Sequence, residues 1–132
     1  MFNEGGREMD IKKIMYVEDN TIKYMNVCRF LNRIGIYDIR HATNSEEALS
    51  LVEKEKFDLI VLDMHFEFEG KDDHQAGEKT MQCLRRNGIE IPIIFCSSRN
   101  WKIPETLGNI FYNECRDWEY EALELFQKLK AI

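Results

Sequence analysis

The sequence predicts an α/β fold, a parallel sheet covered by helices on both faces, and three observations carry that prediction. Leu59-Ile60-Val61-Leu62 is an aliphatic run without polar alternation, the pattern of a strand buried on both faces. Its β-branched Ile60 and Val61 favour strand over helix. Ile14-Met15-Tyr16-Val17 is a second short apolar run. Strand-like and helix-like segments then alternate along the chain, which is how parallel sheets are built. A length of 132 residues suits one domain with a proper core.

Residues 1–11 carry Gly5-Gly6 and scattered charge without periodicity, and read as a flexible tail before a domain spanning 12–132. The first strand is Lys13 to Val17. Asp19 or Asn20 caps a helix from about Thr21 to Ile34, with Ile22, Met25, Cys28 and Leu31 at helical spacing and Gly35 as its stop. A short second strand runs from Asp38 to Ala42. Asn44 followed by Glu47 marks the start of a second helix, whose buried stripe is Ala48, Leu51 and Val52. The third strand, Leu59 to Leu62, ends at Asp63. Met64 to Ala76 reads as polar and irregular, Gly77 to Arg86 as a third helix closed by Asn87-Gly88. A fourth strand is expected over Ile91 to Cys96, with Pro92 near its start where a sheet tolerates it. A fifth follows over Asn109 to Tyr112. Trp118, Ala122, Leu125 and Leu129 define a last helix. No internal repeat or low-complexity segment interrupts the pattern.

Composition narrows the function. Hydrophobic residues make up 44% and charged residues 32%, an ordinary soluble balance. A formal net charge of -6, with Lys12-Lys13 and Arg85-Arg86 only as isolated pairs, argues against direct nucleic-acid binding. Cys28, Cys83, Cys96 and Cys115 form no C-x-x-C pair and fit no zinc spacing, so they read as reduced thiols of a cytoplasmic protein. The amino terminus lacks a signal-peptide core, and no apolar run is long enough to span a bilayer.

The chemistry lies where strands end. The first strand leads into Glu18-Asp19-Asn20 and the third into Asp63. The carboxyl edge of a parallel sheet is where such folds bind ligands. If the two strands are neighbours, three carboxylates share one crevice, and a raised pKa or a divalent cation must relieve their repulsion. Val17-Glu18-Asp19-Asn20 after a first strand, with Asp58-Leu59-Ile60-Val61-Leu62-Asp63 at a third, resembles the receiver domain of two-component response regulators. The resemblance covers roughly residues 12 to 130.

That resemblance implies a flavodoxin-like, doubly wound, five-stranded parallel sheet of order 2-1-3-4-5 flanked by helices. It implies that Asp63 accepts a phosphoryl group and that Glu18, Asp19, Asp63 and the His65 backbone carbonyl hold Mg2+ (or Mn2+). Ser97, at the end of the fourth strand, would hydrogen-bond the phosphoryl group and relay the event. His65 and Arg99 fall where receivers tune loss of that group. The donor would be a histidine kinase or phosphotransfer protein, and the output an unidentified protein target. A homodimer through the face of helix 4, strand 5 and helix 5 belongs to the same expectation. Such a chain is a stand-alone cytoplasmic signalling module that catalyses only its own phosphorylation and dephosphorylation.

Three departures make it atypical. Receivers carry a lysine at the end of strand 5; here Asn113 or Glu114 falls there, and Arg99 or Lys102 is a candidate substitute for the charge. Gly77 stands 14 residues after Asp63 where the family's glycine stands about eight after, so the intervening loop carries an insertion of about six residues. Its Glu67, Glu69, Asp72 and Asp73, with His65 and His74, read as a solvated loop or a second metal site. The segment between Ser97 and strand 5 is short, so helix 4 is expected to be short or irregular. Phe111 or Ile110 takes the place of the family's switching aromatic. Trp101 and Ile103 suit an interface or the core, and Trp118 the core. The alternative function is a pseudo-receiver, a protein-interaction module that is not phosphorylated. An unrelated metal-dependent phosphatase is disfavoured because His65 breaks the Asp-x-Asp pattern such enzymes use.

Overall fold

A computed structural model describes residues 10–129. Its strands are β1 (Lys13–Val17), β2 (Asp38–Ala42), β3 (Leu59–Leu62), β4 (Phe66–Phe68), β5 (Lys71–Asp73), β6 (Ile93–Ser97) and β7 (Gly108–Phe111). Its helices are α1 (Thr21–Arg33), α2 (Ser45–Lys54), α3 (Ala76–Arg86) and α4 (Trp118–Lys128). Five strands form one parallel sheet in the order β2-β1-β3-β6-β7. With β4 and β5 set aside as a separate hairpin, this is the expected 2-1-3-4-5 order of a flavodoxin-like fold.

Alternate residues along each central strand enter opposite layers. Ile14 and Tyr16 of β1, Leu59 and Val61 of β3, and Ile94 and Cys96 of β6 pack beneath α1 and α4. Met15, Val17, Ile60, Leu62, Ile93 and Phe95 face the other way, against α2 and α3. This doubly covered sheet explains why the central strands read as continuous apolar runs.

Side-chain caps fix where the helices start. Asn20 Oδ1 accepts from Lys23 N at 2.9 Å, and Asn44 Oδ1 accepts from Glu47 N at 2.9 Å. Glu47 reaches back, its Oε1 accepting from the amide of Thr43 at 2.7 Å and its hydroxyl at 2.8 Å, which satisfies amide donors that a helix start leaves open. At the far end of β1, Asp58 Oδ2 accepts from the amides of Lys12 and Lys13, each at 2.9 Å. Asp58 N donates to Lys13 O at 2.8 Å, clasping β1 to β3.

Several elements differ from the sequence reading. The stretch from Met64 to Ala76 is not irregular: β4 and β5 pair antiparallel, Phe66 opposite Asp73. Glu69 (φ 52°) and Gly70 (φ 80°) make the two-residue turn, both in the left-handed region that matches hairpin twist. Phe66 is fully buried, which anchors the hairpin to the α2–α3 layer. No helix lies between β6 and β7 among the described residues; 98–107 is coil and turn, so the anticipated face of helix 4, strand 5 and helix 5 is built from coil, β7 and α4. The fourth sheet strand starts at Ile93, not Ile91. Pro92 lacks an N–H, but its carbonyl accepts from Ile60 N at 2.9 Å.

The buried face of α1 is also rotated from the expected stripe. Val27, Phe30 and Leu31 are buried, whereas Ile22 and Met25 are exposed. Trp118 is in the core, as is Ile110; Trp101 and Ile103 pack at the margin of the α2–α3 layer. Ile11, assigned to the tail from sequence, is buried against the α1–α4 layer; residues 1–9 and 130–132 lie outside the described region. All four cysteines are free thiols.

Candidate functional site

The paired register Val17↔Leu62 brings Glu18 and Asp63 to the same edge of the sheet. Ligand oxygens of Glu18, Asp19 and Asp63 lie within 4.8 Å of one another. Glu18 and Asp63 are buried and Asp19 is exposed, so the crevice has two walled carboxylates and one at its mouth. Burial pushes Glu18 up to about 7, opposed by Lys23 and reinforced by Asp63. Asp19 is raised in the same direction by burial and by Asp63.

The cation in this crevice is Lys23. Its Nζ lies 2.8 Å from Glu18 Oε1 and 3.0 Å from Asp63 Oδ1, and donates to Cys96 O at 2.8 Å. Only 11% of its side chain is exposed. Burial works against the charge, but the neighbouring Cys96, Asp63 and Glu18 outweigh it, so its pKa is raised and the ammonium persists. The remaining donors complete the floor. Tyr16 OH donates to Glu18 Oε1 at 3.2 Å, Asn20 N to Glu18 Oε2 at 3.3 Å, and Met64 N to Asp63 Oδ1 at 2.8 Å.

Sequence reasoning missed Lys23, although a signal was present. Positions 23, 27, 30, 31 and 34 form one helical face, and Val27, Phe30 and Leu31 are its buried part. Lys23 is the charged end of that buried face, directed at the sheet edge. Neither Arg99 nor Lys102 forms an ion pair among the described residues, so neither takes the place proposed for it at the carboxylates. Asn113 Oδ1 accepts from Cys115 N at 2.8 Å. Glu114 lines the carboxylate cleft and accepts from Tyr112 OH at 3.3 Å.

Ser97 is buried at the end of β6. Its hydroxyl donates to Arg99 O at 2.9 Å and accepts from Arg99 N at 3.2 Å, turned onto its own loop. An open cleft of about 530 Å3 joins Asp63, His65, His74, Ser97, Ser98 and Arg99, so His65 and Arg99 share one wall with the Asp63 carboxylate. His65 Nε2 pairs with Asp72 Oδ2 at 2.8 Å, and the His65 and His74 rings stand 4.4 Å apart. Among the described residues, the inserted loop places no metal-binding group of its own; the one such cluster is Glu18, Asp19 and Asp63.

The donor set fits a small, hard divalent cation. Three carboxylates against one ammonium leave a formal charge of −2, and Mg2+ prefers a few carboxylate oxygens with waters completing its shell.

The structure resembles a set of known receivers. The chemotaxis response regulator CheY4 of Vibrio cholerae superposes with a TM-score of 0.68 at 20% identity, over 90% of this chain and 98% of that one. The N-terminal domain of a response regulator/sensory box/GGDEF protein from Carboxydothermus hydrogenoformans gives a TM-score of 0.68 at 21% identity, over 89% and 93%. The response regulator PhyR from Brucella abortus gives 0.65 at 19% identity, where this chain covers 48% of the longer protein. At such identities these likenesses speak for the fold. No curated protein sequence matches the chain. The family model for the response regulator receiver domain matches residues 14–106, ending before β7. With most of its length matched and the doubly wound sheet in place, the chain belongs to the response regulator receiver domain family.

Proposed function

We propose that this receiver accepts a phosphoryl group on Asp63 and signals through protein contacts in a two-component phosphorelay. The observation that supports the reading best is the meeting of Glu18, Asp19 and Asp63 at the carboxyl edge of the sheet, with their charge partly balanced by a buried ammonium. Asp63 is the nucleophile. One of its oxygens is held by Met64 N and Lys23, which fixes the carboxylate for in-line attack. Glu18, Asp19 and Asp63 would hold Mg2+, with the His65 carbonyl as a further ligand; when bound, the ion offsets charge on the transferring phosphoryl oxygens. Ser97 would leave Arg99 and turn its hydroxyl toward the phosphoryl group, and His65 and Arg99 would govern access of water to it.

The donor on this reading is a histidine kinase or phosphotransfer protein in the cytoplasm, and the receiver turns over only its own phosphoryl group. No described helix is long and apolar enough to cross a membrane. Output, or pairing with a second copy, would use the surface of β7, α4 and the 98–107 coil.

The pseudo-receiver reading draws on one specific observation, the loss of the strand-end lysine to Asn113 or Glu114. Incubation with acetyl phosphate and Mg2+, followed by intact mass, separates the two. One added phosphoryl group, absent without Mg2+ and absent in Asp63→Asn, is the expected result. No adduct under any donor concentration would favour the non-phosphorylated interaction module.

A further inference from the structure

The ammonium beside Asp63 comes from a helix, not from the strand end where the family carries its lysine. We propose that Lys23 is the counter-charge of the phosphoryl-transfer site: its Nζ moves from the Glu18 and Asp63 carboxylates onto a phosphoryl oxygen as the group arrives. The inference rests on Asp63 being the acceptor.

Three observations carry it. First, Lys23 Nζ already touches the nucleophile at 3.0 Å and sits 2.8 Å from Glu18, so it stands where negative charge increases on transfer. Second, its position is enforced. The Cys96 carbonyl takes one ammonium proton at 2.8 Å, the side chain is nearly enclosed, and the ammonium lies 5.7 Å from the centre of the Tyr112 ring. Tyr112 immediately follows β7, so the strand end contributes the wall of the lysine channel while α1 contributes the charge. Third, among the described residues no other cation contacts Glu18 or Asp63, and Glu114 adds a carboxylate to the same cleft. A site whose phosphorylated form lacked Lys23 would set the phosphoryl oxygens against Glu18, Asp19 and Glu114, leaving Arg99 on the adjoining wall, which pairs with neither Glu18 nor Asp63 among the described residues.

The step balances without a further reactant. An Asp63 carboxylate oxygen bonds to phosphorus. The bond from phosphorus to the acyl oxygen of acetyl phosphate breaks, and acetate leaves with the electron pair. Lys23 keeps its proton and changes only its hydrogen-bond partner. A donor of this kind, aimed at developing charge in a walled site, is worth about 10²–10³ in rate.

The test is the rate of adduct formation from acetyl phosphate in wild type and Lys23→Gln, alongside Mg2+ binding by calorimetry. Expected are a loss of about 100-fold in rate and Mg2+ binding retained or tightened by up to about 10-fold, because an opposing charge is gone. A wild-type rate in K23Q overturns the assignment while leaving Asp63 as acceptor. A slow K23Q that no longer binds Mg2+ also overturns it, since Lys23 would then only hold the crevice together. No adduct in wild type removes both readings at once. Should K23Q fail to fold with Glu18 left unpaired, Glu18→Gln/Lys23→Gln is compared with Glu18→Gln alone: a further loss of about 100-fold supports the assignment, and equal rates overturn it.

Discussion

Gly77 near the start of α3 is the position where the smallest substitution should have the largest structural effect. Its φ is not in the left-handed region, so the requirement is space. A Cβ there would lie 2.2 Å from the Asp63 carbonyl oxygen, 2.8 Å from Phe95 Cε1 and 3.0 Å from Met64 Cα. The first and third are backbone atoms of the segment that follows β3, and Gly77 N is tied to Met64 O at 2.9 Å, so the helix cannot slide away freely. Overpacking of this kind costs about 3 kcal/mol, and alanine's better helix propensity returns up to about 1 kcal/mol. Gly77→Ala should therefore lose about 2 kcal/mol net, or about 8 °C in Tm at roughly 4 °C per kcal/mol for a domain of this size. Urea unfolding followed by the fluorescence of buried Trp118 measures it. Gly88→Ala is the control: its φ of 76° is left-handed but nothing lies within 4 Å of an added Cβ, so it should carry only the left-handed penalty, at the low end of about 1–2 kcal/mol. A Gly77→Ala protein as stable as wild type, or more stable than Gly88→Ala, would refute the steric argument.

Three further outcomes are expected. Thr43's amide and hydroxyl hold the Glu47 carboxyl below its ordinary value. That contribution is present above the usual glutamate range and lost as pH falls through the lowered folded value. Glu47→Gln keeps an acceptor for the box but loses the charge at the helix start, so it should cost about 0.3–1 kcal/mol near neutrality, with the difference closing in acid; a gap in melting temperature that stays constant with pH would exclude this cap. Phe66→Ala should cost about 3–5 kcal/mol and expose the hairpin to proteolysis before the sheet unfolds, and a near-neutral effect would mean the ring is not the hairpin's anchor. Burial pushes the Cys96 thiol up to about 12, while Cys115 is exposed. A thiol reagent should label Cys115 in the native protein and Cys96 only on unfolding; native labelling of Cys96 would contradict its enclosure.

The sequence made the central sheet legible because its signals were local. Ile14–Val17 and Leu59–Leu62 are apolar on both faces, and Asn20 and Asn44 mark helix starts whose capping bonds are present in the structure. The two carboxylate-bearing strand ends could be paired from the fold class alone. The hairpin was missed because its strands have three residues each, too short for periodicity to register. The alternation of Phe66-Glu67-Phe68 before a Glu69-Gly70 turn was the available signal. Lys23 was missed for a different reason. Its sequence neighbours describe an ordinary capped helix, and its role depends on a long side chain crossing from α1 to the carbonyl of Cys96, 73 positions away. The segment 98–107 was legible as a short or irregular helix at most, from its shortness, Pro104 and weak periodicity, and the structure has coil and turn there.

The Asp58 clasp bears on the far end of the sheet. Parallel strands joined by a long crossover have no tight turn to set their alignment, so β1 and β3 need another device to stop slippage. Asp58 grips two successive amides of the β1 entry with one oxygen, and each strand then runs a fixed number of residues to Glu18 and Asp63. A slip of one position would shift one carboxylate by about 3.3 Å relative to the other and turn it toward the opposite layer. The clasp therefore acts as a distance gauge. The spacing of the acidic groups at one edge of the protein is measured out from the opposite edge, by an exposed aspartate that touches none of them.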